Sequence, residues 1–166
     1  MTIRKLRRQR VCYRIGDPDG EYPIFDARGS VRASGRWNDA DSPVIYAAAT
    51  YSGAMLEKLA HGSGELPANQ HFIEIPLPAG TSYEVVTKDS LRGWQSADCT
   101  VPKQYGADWV RQKRSLVLFV PSYVARMEEN VLINPAHPLF PTLEPSRETP
   151  VWWDERLFPA LDSPED

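Results

Sequence analysis

The sequence predicts an α+β domain built on a mixed, strongly bent β-sheet with short helices. Three observations predict it. Segments with strand patterning outnumber those with helical patterning. The longest apolar runs, at 44–49 and 116–120, are strand-sized. Fifteen prolines in 166 residues punctuate the chain with turns and leave little room for long helices.

The first strand lies at 11–15, where Val11, Tyr13 and Ile15 alternate with Cys12 and Arg14. This period of two puts Val11, Tyr13 and Ile15 on the core face and Arg14 on the opposite one. An irregular stretch with Pro18, Gly20, Pro23, Gly29 and Gly35 follows, and 44–49 (VIYAAA) reads as a buried central strand. Thr50 or Ser52 caps a helix that runs to Ala60 and closes at Gly62. In that helix Tyr51, Met55, Leu56, Leu59 and Ala60 share one face. Stepping about 100° per residue sets Glu57 about 150° away, off the packing surface.

Residues 71–77 and 83–86 read as two strands joined by a Pro-Ala-Gly turn, and 105–114 as a short helix. The apolar strand 116–120 ends at Pro121 with Ser122 directly after it, and 131–133 ends at Asn134-Pro135. Trp152 and Trp153 are apolar, and 156–158 closes the ordered part. With no repeat or low-complexity linker, one domain over 1–166 is expected, with a basic start at 1–10 and an acidic tail at 159–166. The basic start reads as a solvated tail, or as a contact for an anionic substrate or a partner.

Composition excludes several classes. A net charge of -3 gives no case for direct nucleic-acid or membrane binding. No apolar run approaches the roughly 20 residues a membrane span needs. Cys12 and Cys99 are too few for a disulfide framework and read as buried free thiols of a cytoplasmic protein. His61, His71 and His137 lack metal-ligand spacing, so no metal is expected. Phosphate-binding glycine loops and a G-x-S-x-G elbow are absent.

A set of polar residues beside apolar strands remains: Arg14, Arg36, Tyr46, Glu57 and Ser122. Each has a plain structural alternative. Arg14 fits a surface strand, Arg36 a loop brace, Tyr46 a satisfied core tyrosine, Glu57 a solvated helix face and Ser122 a turn start. Arg36 follows Gly35 in a loop, where a guanidinium can fork onto phosphate oxygens.

Taken in order, six motifs resemble the RES-domain family. They are Tyr13-Arg14-Ile15, Gly35-Arg36-Trp37-Asn38, Ser42-Pro43-Val44-Ile45-Tyr46, Leu56-Glu57-Lys58-Leu59-Ala60-His61, Val120-Pro121-Ser122 and Asn134-Pro135-Ala136-His137-Pro138. The GRWN and VPS…NPAHP segments are the most specific, and the resemblance runs from about Tyr13 to Leu157. It implies a split sheet similar to that of ADP-ribosyltransferases, and a toxin of a bacterial toxin–antitoxin module that degrades NAD. NAD is then substrate, with no cofactor. By motif, Arg14 and Arg36 bind phosphates, Tyr46 neighbours the nicotinamide, Glu57 is the catalytic carboxylate and Ser122 orients substrate; Ser115 competes for that last role. Trp37 offers a further aromatic face or fills the core. The acceptor stays open: inorganic phosphate gives an NAD phosphorylase, water a glycohydrolase, a protein side chain an ADP-ribosyltransferase. The implied partner is an Xre-type helix-turn-helix antitoxin, in a hetero-oligomer. A non-catalytic interaction module is the reading from another class.

Overall fold

A computed structural model describes residues 2–63, 65 and 68–158. Eight strands form one mixed sheet: β1 (Arg4–Lys5), β2 (Arg10–Gly16), β3 (Ile45–Ala48), β4 (His71–Leu77), β5 (Ser82–Val85), β6 (Val117–Pro121), β7 (Glu129–Ile133) and β8 (Thr149–Pro150), ordered β1-β5-β6-β7-β3-β2-β4-β8. Three α-helices accompany it: α1 (Arg28–Arg32), α2 (Tyr51–His61) and α3 (Thr100–Gln112). Only β5 and β6 pair in parallel among the described strands, and α3 makes the crossover between them.

The sheet is split. β3 pairs with β7 over four residues but with β2 at the single position Tyr13↔Ala48. The two halves nevertheless share a core: Cys12, Ile73, Ile75 and Leu77 of one pack with Val117, Phe119, Val131 and Ile133 of the other. A sheet whose two halves cover each other on one face must be bent, as the sequence predicts. On the outer face, α3 packs Trp109 and Val110 against Val44, Leu118, Val120 and Leu132. Gly106 permits this closeness, since a Cβ there would lie 1.8 Å from the Trp37 carbonyl oxygen.

Five expectations need correction. Residues 71–77 and 83–86 do form strands around a turn closed by the Thr81 amide on the Pro78 carbonyl. They do not pair, because β4 runs seven residues against β2 while β5 takes β6 in the other half. The basic start is no solvated tail: Arg4 and Lys5 pair with β5, Leu6 is buried, and the Arg10 guanidinium stands 4.4 Å from the Phe119 ring centroid. On β2 the main core takes Cys12, while Ile15 and Tyr13 pack under α2. Both faces of this strand are therefore covered, which alternation alone cannot reveal. Finally, of the two thiols expected to be buried, Cys99 is only part-buried, and the apolar Trp152 is 78% exposed. The acidic tail lies outside the described residues. Both cysteines are free, Cys12 buried and Cys99 part-exposed.

Candidate active site

Where the sheet splits, a cleft of about 670 Å³ opens beneath α2, within the range of small-molecule sites. Arg14, Arg36, Tyr46, Glu57, Tyr123 and Asn130 are among the residues that line it. Four of these are predicted site residues, brought from β2, a loop, β3 and α2.

Helix α2 is fixed at its start. The Thr50 hydroxyl accepts from the Gly53 amide at 3.0 Å and donates to Glu128 Oε2 at 2.8 Å. Two turns on, Glu57 Oε1 accepts from Ser122 Oγ at 2.8 Å and from Asn130 Nδ2 at 2.7 Å. Oε2 has no donor among the described residues, so one carboxylate oxygen is held and the other is without a protein donor there. Ser122 Oγ also accepts from the Ala125 amide at 3.0 Å, which fixes its hydroxyl toward Glu57.

The helical-phase expectation for Glu57 is wrong in detail. Leu56 is 40% exposed, and the buried residue of α2 is Ala54. Ala54, Glu57, Lys58 and His61 form the face over the cleft. Counting apolar residues misplaces that face because the cleft takes Glu57, Lys58 and His61 from this helix while Leu56 stays exposed. Burial, reinforced by the nearby Arg14 charge, holds the Lys58 ammonium below its ordinary value.

Tyr46 is locked. Its hydroxyl donates to Asn38 Oδ1 at 2.8 Å and accepts from the Trp37 amide at 3.0 Å. Asn38, fully buried, also takes the Gly35 amide and donates to the Ser30 and Asp39 carbonyls. A Cβ at Gly35 would lie 2.5 Å from the Tyr46 hydroxyl, so that position requires glycine. Burial pushes the Tyr46 phenol well above its ordinary value, so it is a neutral hydroxyl. Trp37 is 3% exposed and meets Tyr105 edge-on, so its ring belongs to the core.

Both arginines brace backbone as well as line the cleft. Arg14 donates from Nε to the Ile24 carbonyl and from Nη1 to the Tyr46 carbonyl, each at 2.6 Å, leaving Nη2. Burial pulls this guanidinium below its ordinary value, opposed by the Asp26 charge. Arg36 donates from Nη1 to the Trp94 and Ser96 carbonyls and keeps its Nε–Nη2 edge, the side-on fork that matches two phosphate oxygens. Ser115 is fully buried, donating to the Val117 carbonyl and accepting from Trp109 Nε1. It is remote in role from Ser122.

Sequence reasoning missed Asn130, Asn38 and Tyr123. Asn130 pairs with Ala48 and Val120, a register no local pattern encodes. Asn38 lies inside the GRWN motif, and a polar residue between a tryptophan and a buried strand was its only signal. Among the described residues no three His, Cys, Asp or Glu side chains lie together to hold a metal ion, and no helix is long and apolar enough to cross a membrane.

Fold and site define an α+β protein whose split sheet carries a cleft flanked by arginines, with one hydrogen-bonded carboxylate. The fold is similar to that in the crystal structure of the M. tuberculosis MbcT–MbcA toxin–antitoxin complex, with a TM-score of 0.67 over 87% of this chain and 85% of that one, at 14% identity. The chain belongs to the RES domain family, whose model matches residues 11–154. Relatives include the Prs ADP-ribosylating toxin of Sphingobium sp. (strain YBL2), 38% identical over 76% of this chain and 83% of that protein. Another is the toxin Res of Pseudomonas putida (strain KT2440), 34% identical over 70% of this chain and 81% of that protein.

Proposed function

We propose that this chain is the toxin of a toxin–antitoxin pair and that it cleaves the nicotinamide–ribose bond of NAD in the cleft. The observation that carries the reading is Glu57, held on one oxygen by Ser122 and Asn130 and open on the other, facing a cavity flanked by Arg14 and Arg36. The arginines neutralise the pyrophosphate. The C1′–N bond breaks with its electron pair leaving on nicotinamide, which departs neutral and needs no general acid. Glu57 stabilises the positive charge that develops on the ribose and holds a ribose hydroxyl. Ser122 and Asn130 keep the carboxylate in place, and Tyr46 sets the shape of the wall beside the nicotinamide. The acceptor, inorganic phosphate or water, then bonds to C1′.

Glu57→Gln keeps the side-chain shape and removes the charge. Nicotinamide release should fall by roughly 100-fold or more, the scale for one electrostatic group in a transition state. Unchanged release from a folded variant would remove Glu57 from the chemistry. Product analysis with and without phosphate separates ADP-ribose 1″-phosphate from ADP-ribose. If the wild-type chain consumes no NAD with or without phosphate, and none in a cell extract, it is a non-catalytic interaction module.

A second reading, transfer of ADP-ribose to a protein, is favoured by the name of the Sphingobium relative. Labelled NAD in a cell extract tests it by label appearing on a polypeptide. The partner is an antitoxin, as in the toxin–antitoxin complex of similar fold, and the family resemblance implies that it is of the Xre helix-turn-helix type. It would bind DNA while this chain, at a net charge of -3, does not. Co-expression with the neighbouring reading frame should relieve growth arrest.

A further inference from the structure

The turn that follows Ser122 brings Tyr123 and Arg126, which the proposed reaction does not use, up to Arg36 at the cleft mouth. Tyr123 is 42% exposed at the cleft mouth, and its ring meets the buried Trp94 edge-on at 6.3 Å. Trp94 is itself held by its indole N–H on the Lys88 carbonyl. Two guanidinium carbons stand over the Tyr123 ring, Arg36 at 4.0 Å and Arg126 at 4.9 Å from its centroid. Sharing one ring keeps the two cations within the roughly 10 Å over which 0.1 M salt screens charge. Neither is paired with a carboxylate among the described residues. The Arg126 side chain makes no hydrogen bond among them either, and Arg36 keeps its Nε–Nη2 edge.

The presentation is defined. The Ser122 amide donates to the Glu128 carbonyl at 3.0 Å and the Glu128 amide to the Ala125 carbonyl at 2.8 Å, closing the turn beneath Arg126. Two uncompensated guanidiniums beside one ring repel each other, and their cation–π contacts offset only part of that. An anion bridging them removes the repulsion and gains charge-assisted hydrogen bonds. In a chain with a net charge of -3, this is a local positive site on an otherwise acidic molecule.

We propose that Arg126, seated on Tyr123, is a second clamp at the cleft mouth for a phosphoryl oxyanion that Arg36 also holds. The oxyanion comes either from the substrate's own pyrophosphate or from free inorganic phosphate. The proposal rests on the cleft being the NAD site, and makes Arg126 and Tyr123 determinants of affinity there rather than of the chemical step.

Calorimetric titration with ADP, adenosine and inorganic phosphate tests it without turnover. Arg126→Ala should weaken ADP or phosphate about tenfold, the loss of one charged hydrogen-bond donor. It should leave adenosine binding and the melting temperature unchanged. Weakened ADP with unchanged phosphate assigns the pyrophosphate; the reverse assigns the free anion. Arg126→Lys should recover part of the loss, since it keeps the charge but not the flat stacking surface. Arg147→Ala, the same charge change at an exposed site elsewhere, should match wild type. Binding of both anions at wild-type strength by Arg126→Ala overturns the proposal. So does an equal loss for adenosine, or no measurable binding of either anion to the wild-type chain. If Glu57→Gln still releases nicotinamide while Arg126→Ala weakens the anion, the catalytic reading fails and the clamp stands.

Discussion

Tyr46→Phe isolates the hydrogen-bonded centre of the site. The change removes one oxygen and leaves the ring in place. Asn38 Oδ1 loses a donor but keeps the Gly35 amide, whereas the Trp37 amide loses the acceptor that the phenol supplies. Trp37 is 3% exposed, so water cannot readily replace that acceptor. A buried polar group left without its partner costs about 1–3 kcal/mol, which puts the expected loss near 2 kcal/mol. For a chain of this length each kcal/mol moves the melting temperature by about 2–4 °C, so a fall of about 4–8 °C follows. Urea unfolding should show a lower midpoint at unchanged slope. A double-mutant cycle with Asn38→Ala should be non-additive by about 0.5–3 kcal/mol, because both changes break one network. A midpoint equal to wild type, or strict additivity, would refute the claim that this hydroxyl braces the GRWN loop.

Ser122→Ala removes one of two donors from Glu57, so nicotinamide release should drop roughly 10- to 100-fold, the loss of one hydrogen bond to a charged group. Ser115→Ala should instead lower stability by about 1–3 kcal/mol with little effect on the rate per folded molecule, since its bonds hold Trp109 and β6. Arg114→Ala strips the fully buried Glu84 of its 3.1 Å ion-pair partner, leaving only Tyr105. Unfolding should become easier by about 3 kcal/mol, the low end for a broken buried pair because Arg114 is partly solvated. Cys12 should resist alkylation at pH 8 while Cys99 reacts, read as one adduct in the native chain and two in urea. Burial raises the Cys12 thiol from 9.0 to about 12, so the unfolded chain releases this proton first. Stability should therefore fall as pH climbs from about 9 to about 12, and Cys12→Ala should make that fall shallower, the raised Tyr46 and Tyr105 phenols supplying the rest.

Local pattern made most of the elements legible, and the residues between them less so. The runs at 44–49 and 116–120 lie within a few residues of β3 and β6, because continuous apolar character survives in any buried strand. The strands at 71–77 and 83–86 were legible too, but not their separation, since pairing depends on contacts far apart in sequence. Arg14, Arg36, Tyr46 and Glu57 were recognisable as a set by motif order. Their detailed roles were not: both arginines brace carbonyls, which depends on where two loops return. Glu57 shows the limit most clearly. A helix that roofs a cleft can turn charged residues inward, so its apolar stripe is an incomplete guide: Tyr51 and Met55 pack, but Leu56 is exposed and Glu57 faces the cleft.

The segment from Ser122 to Asn130 connects these findings. Ser122 and Asn130 hold Glu57 directly, and Glu128 holds the Thr50 hydroxyl that caps the same helix. Tyr123 and Arg126 meet Arg36 on the opposite wall. One nine-residue stretch therefore touches both the carboxylate and the cationic side of the cleft, while the two sheet halves meet only at Tyr13↔Ala48. Helix α2 is held from two sides: Ala54, Tyr51 and Met55 pack on Ile15 and Ala48 of the sheet, and this stretch adds side-chain bonds to Thr50 and Glu57. A ligand on Arg36 and Arg126 contacts this stretch at one end, and Ser122 and Asn130 hold Glu57 at the other. Since Arg126 sets affinity and Ser122 holds the carboxylate, Arg126→Ala and Ser122→Ala should be additive in nicotinamide release, and a coupling above about 0.5 kcal/mol would refute that separation of roles.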